Sequence, residues 1–434
     1  MAITTTPVLV LVAAASAPQA VKDVAEYVCD GTADQTEINS ALAAVASTGG
    51  HVIQTPGAYS INGTITVPVS QNITWSGPGA VITAANGLNA DMVTFATSGG
   101  TGVGRAEIKR IRFDGNSPNQ TAGDIIDAAG AIYCDFVGCY FYRPYDFALR
   151  LGPRADASFG HNNVVDRCVF DQGDDSGGNG GGVLCTSNDE NVVSKSRFQF
   201  MGGAGATPHA IRDLSGINDF SRNTFVRGKT AIWAEIADAS RCHGNMFDGV
   251  DQTNLHISGS DWTVTGNAFT SGGSTANTYS HLRLDVGGGH SIVGNLFKSP
   301  STASQLKAFI EELSSAVAGC TVQGNRFRIV GALGTAKVIR NSGVNQYRDN
   351  SGYLTESSGT TAFGAAVTSV TGIAHGLDVT PAAKDFNLQY VADPLAGGHI
   401  WVSAITSSTF TLNLKGTGPG GAGTTVGWQL LAGR

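Results

Sequence analysis

Four short stretches carry side chains that could do chemistry together: "HAIRDL" (209–214), "TAIWAEIA" (230–237), "NLHISG" (254–259) and "HLRLDVGG" (281–288). If each is a strand, alternate side chains share a face. Ile232, Ala234 and Ile236 are then expected inward, and Trp233 and Glu235 outward. The same rule sends His256, His281, Arg283 and Asp285 outward, with Arg212, or Asp213 if the register slips by one. Such a surface would stack a sugar ring on Trp233 and hydrogen-bond its hydroxyls through Arg212, His256, His281 and Arg283. Two carboxylates flanking a glycosidic bond can hydrolyse it, one protonating the leaving oxygen and the other activating water. Glu235, Asp285 and Asp213 are the candidate acids and bases. Glu235 and Asp285 fall two repeats apart, about 10 Å at ~4.8 Å per step, near the ~6.5–9.5 Å that inverting glycosidases use. The bland alternative is a row of solvated strand residues.

Other acidic groups are weaker candidates. Asp171, Asp174 and Asp175 in "DQGDDSGGNGGG" could offer oxygen ligands to calcium, but their spacing is not that of an EF-hand loop. A solvated turn is the simpler expectation there, as it is for Glu311-Glu312. No phosphate loop, catalytic-serine elbow or nucleotide fingerprint is found, and no cofactor is expected otherwise.

Residues that work as a row need elements that repeat. Phe113, Phe141, Phe170, Phe198, Phe225, Phe247, Phe269, Phe297, Phe327 and Tyr347 recur at intervals of 20 to 30 residues. Two positions before them stand Ile111, Cys139, Cys168, Ser196, Asn223, Asn245, Asn267, Asn295, Asn325 and Asn345. Five positions before stand Ile108, Phe136, Val165, Val193, Phe220, Cys242, Val264, Ile292, Val322 and Ser342. Two apolar columns separated by a bend imply two short strands per repeat facing one core, which stacked turns must share. Asn tolerates the left-handed backbone of such a bend, and its amide can bond to the next Asn along the stack. The expected fold is all-β, a right-handed parallel β-helix in which the Asn and Phe columns are structural. Hairpins of a sandwich would not hold these offsets.

Composition agrees. Of 434 residues only 14% are charged, and the 58 glycines are about twice the usual share. A net charge of −7 argues against nucleic acid, whose phosphates want a basic surface. No apolar run is long enough for a membrane span. "MAITTTPVLVLVAAASA" has no Lys or Arg before Lys22 and contains Pro7, so it matches a secretion signal only superficially. Seven cysteines without a CxxC pair suggest buried thiols in a reducing compartment.

At the N-terminal end, Asp34 with Glu37 three residues on reads as a capping box. Ile38, Leu42 and Val45 share a helical face, and Gly49-Gly50 ends the helix. This helix would cap the open end of the stack. "CDGTADQTEINSAL" followed by "GGHVIQTPGAYSI" resembles the opening of the pectate-lyase-like β-helices of bacteriophage tailspikes and related virion proteins. The likeness spans about Tyr27–Tyr353 and is specific for fold, not for activity. It implies a homotrimer on the virion, assembled in the host cytoplasm, that contacts host cell-surface polysaccharide and other tail or capsid proteins. If catalytic, it would be a glycoside hydrolase or polysaccharide lyase. A non-enzymatic decoration or head-fibre protein is the alternative, and a secreted lyase a more distant one. A lyase would want calcium-bound acids plus a basic residue, and no face shows that set.

Residues 1–26 are expected to form an arm or strand, 27–353 the β-helix, and 354–434 a small C-terminal β-sandwich serving trimerisation or glycan contact. Strands are expected at Ala366–Ile373, Phe386–Val391, His399–Ile405, Thr409–Lys415 and Thr425–Leu431. Trp401 and Trp428 are either core or sugar platforms.

Overall fold

The computed structural model describes residues 8–431 apart from 70–71, 98–101, 154–159, 174–176, 187–189, 206–208, 271, 273–277, 301–305, 331–332, 334–336, 342–344, 354–355, 364–366, 376, 379, 391–398 and 416–423. Among the described residues, three parallel sheets of fourteen, eleven and eleven strands run the length of a β-helix. They are called sheets A, B and C here. One coil shows the plan: Arg241–His243 in sheet A, a Gly244-Asn245 bend, Met246–Asp248 in sheet B, a loop, Leu255–Ile257 in sheet C, then Thr263–Thr265 back in sheet A. Cys242, Phe247, Leu255, Ile257 and Val264 all point inward with no exposed surface.

The bend between sheets A and B divides its work between two residues. Gly244, Gly266, Gly294 and Gly324 have φ of 65°, 63°, 67° and 64°, so the left-handed position is the residue before each Asn. Earlier coils place Arg167, Lys195 and Arg222 there. The Asn is present for hydrogen bonding, not for its backbone tolerance as the sequence reading supposed. Asn245, Asn267 and Asn295 each accept the backbone N–H of the preceding column member at 2.8–2.9 Å. Their amide nitrogens donate to Phe220, Cys242 and Val264 carbonyls at 2.8, 2.8 and 2.9 Å. Every polar atom of the column is thereby satisfied inside the protein.

Beside this ladder the phenylalanines stack, with ring centroids 4.5 Å apart for Phe170–Phe198 and 4.7 Å for both Phe247–Phe269 and Phe269–Phe297. The stack runs unbroken from Phe113 to Phe327. Its last expected member slips. Tyr347 pairs with Val322 in sheet A, and Asn350, not Asn345, receives the Asn325 N–H. Asn345 belongs to a second ladder at the bend between sheets C and A. There Cys134, Asn163, Asn191 and Cys320 donate their backbone N–H to Asn163, Asn191, Asn218 and Asn345.

The capping helix is present at Gln35–Ala44, with Ile38 and Leu42 buried. Asp34 precedes it but does not close a capping box. Its two carboxylate oxygens accept the N–H groups of Gly31 and Ser60, each at 2.8 Å, and so tie the helix to the first coil. The segment expected as an arm or strand contains Val8–Ala13, a strand of sheet A paired in parallel with Gly50–Gln54.

Beyond the coils the pairing turns antiparallel. Glu356–Phe363, Thr424–Leu431 and Phe386–Tyr390 form one sheet, and Ser369–Ala374, Thr409–Lys415 and His399–Ser403 another. Phe363, Phe410, Leu412, Val426 and Leu430 are buried together as their core. Trp428 joins that core and donates to Thr361 Oγ1 at 3.2 Å, whereas Trp401 is 46% exposed.

Candidate functional site

Sheet C carries the residues singled out above, and its register fixes how they meet. Arg212 pairs with Trp233, Trp233 with His256, His256 with Arg283, and Arg283 with Glu311. Parallel strands in register place these five outward side chains one per coil, about 4.8 Å apart. The Trp233 and His256 rings stack at 5.3 Å and 9°, so one indole face is covered by an imidazole. The His209 ring meets the indole at 4.3 Å and 75°.

Just after the strand the chain turns, and here Glu235 and Asp285 flank Ser258. Arg212 donates Nε and Nη2 to Glu235 Oε2 at 3.0 and 2.5 Å. Asp285 Oδ2 lies 3.5 Å from His256 Nε2 and from Ser258 Oγ, long contacts that leave the carboxylate 40% exposed. The two carboxylates thus share one margin of the row, each already facing a basic partner. Ile236, expected inward, is 67% exposed because the strand ends at Ala234 and alternation ends with it.

Two expected outward residues are inside. Asp213 has no exposed surface and accepts hydrogen bonds from Ser215 N–H and Oγ at 3.1 and 3.0 Å, Asn218 Nδ2 at 2.9 Å and Ser240 Oγ at 3.3 Å. Burial pushes its carboxyl up to about 6 against those bonds. It anchors the C-to-A bend and cannot reach a ligand. His281 is likewise fully buried, because alternation restarts at Leu282 and the chain bends just before it. Asn254 Nδ2 donates to His281 Nδ1 at 2.7 Å and His281 Nε2 donates to the Lys298 carbonyl at 2.9 Å. Its ring lies over Phe309, and burial lowers its pKa to about 4.

One residue at the row, His209, was not singled out from sequence. His209 is 3% exposed, with its pKa lowered to about 3 by burial and then by Arg212, His256 and Lys229. His256 is lowered to about 4 by burial and Arg283, against the opposing pull of Asp285. Both rings are neutral at pH 7, able to donate and accept. Glu311, expected in a solvated turn, is 3% exposed and held by Ser280 Oγ at 2.8 Å and by Lys307. Its neighbour Glu312 is fully buried, accepting from Asn345 Nδ2 at 2.9 Å and Tyr347 Oη at 2.6 Å. Between sheets B and C, Phe200, Gly203, Arg227, Lys229 and Asp251 line an opening of about 620 Å³. Lys229 leads into the Thr230–Ala234 strand, so this opening adjoins the row. Of the suggested calcium ligands, Asp171 is buried and accepts from Tyr140 Oη. Asp174 and Asp175 lie outside the described residues.

No protein-family model matches the sequence, and neither does any curated protein. Solved structures share the fold. DFA-IIIase from Arthrobacter chlorophenolicus, without its lid, aligns at a TM-score of 0.54 and 12% identity over 78% of this chain and 98% of its own. The chain is a right-handed parallel β-helix of the kind that bacteriophage tailspikes use. A mutant tailspike protein of E. coli bacteriophage HK620, solved with a hexasaccharide, aligns at 0.50 and 10% identity over 91% of this chain and 88% of its own. No helix among the described residues is long and apolar enough to cross a membrane.

Proposed function

We propose that this protein is a virion surface component that binds a host polysaccharide along the outward row of sheet C. The observation that carries the reading is the row itself: Arg212, Trp233, His256 and Arg283 in register on successive coils, beside an open groove and two half-exposed carboxylates. An extended polymer meets a repeating surface well, because each coil can offer similar contacts to a successive sugar. The virion assignment and a trimeric assembly follow the tailspike likeness, and the antiparallel unit from residue 354 onward would serve that assembly. A second reading adds cleavage, since Glu235 and Asp285 stand two coils apart on one margin with only Ser258 between them in that column.

Immobilised bacterial surface polysaccharides should retain the protein, and Trp233→Ala should weaken retention about tenfold, the value of a lost aromatic contact with its neighbours. Retention by none of a broad panel would refute the binding reading. For cleavage, new reducing ends or unsaturated-uronate absorbance should appear with the parent protein and vanish with Glu235→Gln. An unchanged rate in that variant would remove Glu235 from the chemistry. Light scattering of the purified protein tests the trimer.

A further inference from the structure

The row on sheet C is short of hydrogen-bond partners in one place. Neither ring nitrogen of His209 has a partner among the described residues, although the side chain is almost wholly buried. Trp233 Nε1 and Arg283 Nε are also buried and unpartnered, and His256 Nε2 reaches only its 3.5 Å contact with Asp285. Buried polar atoms are rarely left so, and a run of them on consecutive coils marks where something polar from outside completes the set.

Charge in the same strip is unbalanced. Arg212 is matched by Glu235, and Lys307 by Glu311. Among the described residues no carboxylate makes an ion pair with Arg283, Arg227 or Lys229. The Arg227 guanidinium sits over the Phe200 ring at 5.5 Å, and Lys229 Nζ donates to the Gly203 carbonyl at 2.5 Å. Asp251 in the wall of their opening and Asp285 on the margin of the row are the acids near them, so three cations stand against two carboxylates. In a chain of net charge −7 this is a local excess of cations.

Resting on the polysaccharide reading above, we propose that the glycan is acidic. Its carboxylates are held by Arg283 on the row and by Arg227 and Lys229 at the opening. A neutral polymer would cover these cations without replacing their lost hydration, whereas a carboxylate gives charge-assisted hydrogen bonds of about twice the neutral strength. Arg283 lies two coils beyond Lys229, about 10 Å along the axis, so the anions it and Lys229 hold belong to different residues of one chain. His256 lies on the coil between them, Trp233 on the coil of Lys229 and His209 on the coil before; these neutral groups meet hydroxyls.

The test takes the glycans that a surface-polysaccharide panel identifies as binders and compares each with its carboxyl-reduced form by calorimetry. Reduction should weaken binding at least tenfold. Arg283→Gln and Lys229→Gln should each lower affinity for the native glycan about tenfold and affinity for the reduced form by clearly less, so that the gap between the two forms narrows in each variant. Arg326→Gln, exposed on sheet B, is the control. Neutral binders, or equal affinity for native and reduced forms, would overturn the acidic assignment and leave polysaccharide binding standing. Absence of any binder would overturn both. Variants that lose binding of both forms equally would place Arg283 and Lys229 in the architecture, with only ordered water over the unpartnered atoms.

Discussion

Replacing Asn267 with Ala tests the Asn ladder at a point where its bonds can be counted. Asn267 Oδ1 accepts the Asn245 N–H at 2.9 Å and its Nδ2 at 3.0 Å. Asn267 Nδ2 donates to the Cys242 carbonyl at 2.8 Å and to Asn295 Oδ1 at 3.0 Å. Two groups have a fallback: Asn245 Nδ2 keeps the Phe220 carbonyl at 2.8 Å, and Asn295 Oδ1 keeps the Asn267 backbone N–H at 2.9 Å. So does a third, since the Cys242 carbonyl keeps the ladder N–H of Thr265 through the parallel pairing of the two strands. One does not, the Asn245 N–H. At 1% exposure the site admits no bulk water to replace the amide. An orphaned buried group costs about 1–3 kcal/mol, so the variant should lose about that much. Thr265→Ala, on the outward side of the same coil, should stay within about 0.5 kcal/mol of the parent. Urea unfolding measures both; if unfolding is irreversible, the half-life at fixed temperature takes its place. Asn267→Ala combined with Asn295→Ala should cost less than the two separate losses summed, because the bonds they share are removed once. A cost within about 0.5 kcal/mol of Thr265→Ala, with strict additivity in the double variant, would show that the ladder is incidental to stability.

Two further outcomes follow from buried groups. Asp213, raised from 3.8 to about 6, binds its proton more tightly folded than unfolded, so its contribution to stability falls as pH rises from about 4 to about 6 and is level above. That gap of about two pH units is worth about 3 kcal/mol, and Asp213→Asn should remove it; a parent-minus-variant difference flat across this range would refute the assignment. The difference is the quantity to read, because His209, His256 and His281 titrate nearby with the opposite sign. All seven cysteines are free and buried, so a thiol reagent should label none in the native protein and all after unfolding; rapid native labelling would contradict the packing.

The coils were legible because inward columns repeat one residue type at a fixed offset, and Asn245, Asn267 and Asn295 lie in the predicted stack. The second ladder was not, because its members change along the stack: Asn163, Asn191 and Asn218 give way to Ser240 and then to His290. The row on sheet C was half legible. Alternation placed Arg212, Trp233, His256 and Arg283 correctly, since each lies within a strand. It misplaced His281, one residue before a strand begins, and Ile236, two residues past a strand end, where the period of two lapses. Tyr347 misled because spacing alone does not separate an aromatic of sheet A from one of sheet B. Glu356–Phe363 was missed as a strand because "ESSGTTAF" has little apolar alternation, its pairing being supplied by Thr424–Leu431. His209 gave no sequence signal at all; its isolation depends on what packs around it.

The Gly-Asn bend has a consequence for how such a chain can change length. Gly244 and Gly266 occupy equivalent corners, each followed by an Asn that offers the same bonds up and down the stack. Cutting out 245–266 would join Gly244 directly to Asn267, restoring the original junction with one storey fewer. Adding a storey by duplication would leave both new seams equally native. The scaffold therefore resembles a measuring rod graduated in whole marks. Its reach can be reset by splicing at corners, while the face that carries Trp233 is kept or discarded as a unit.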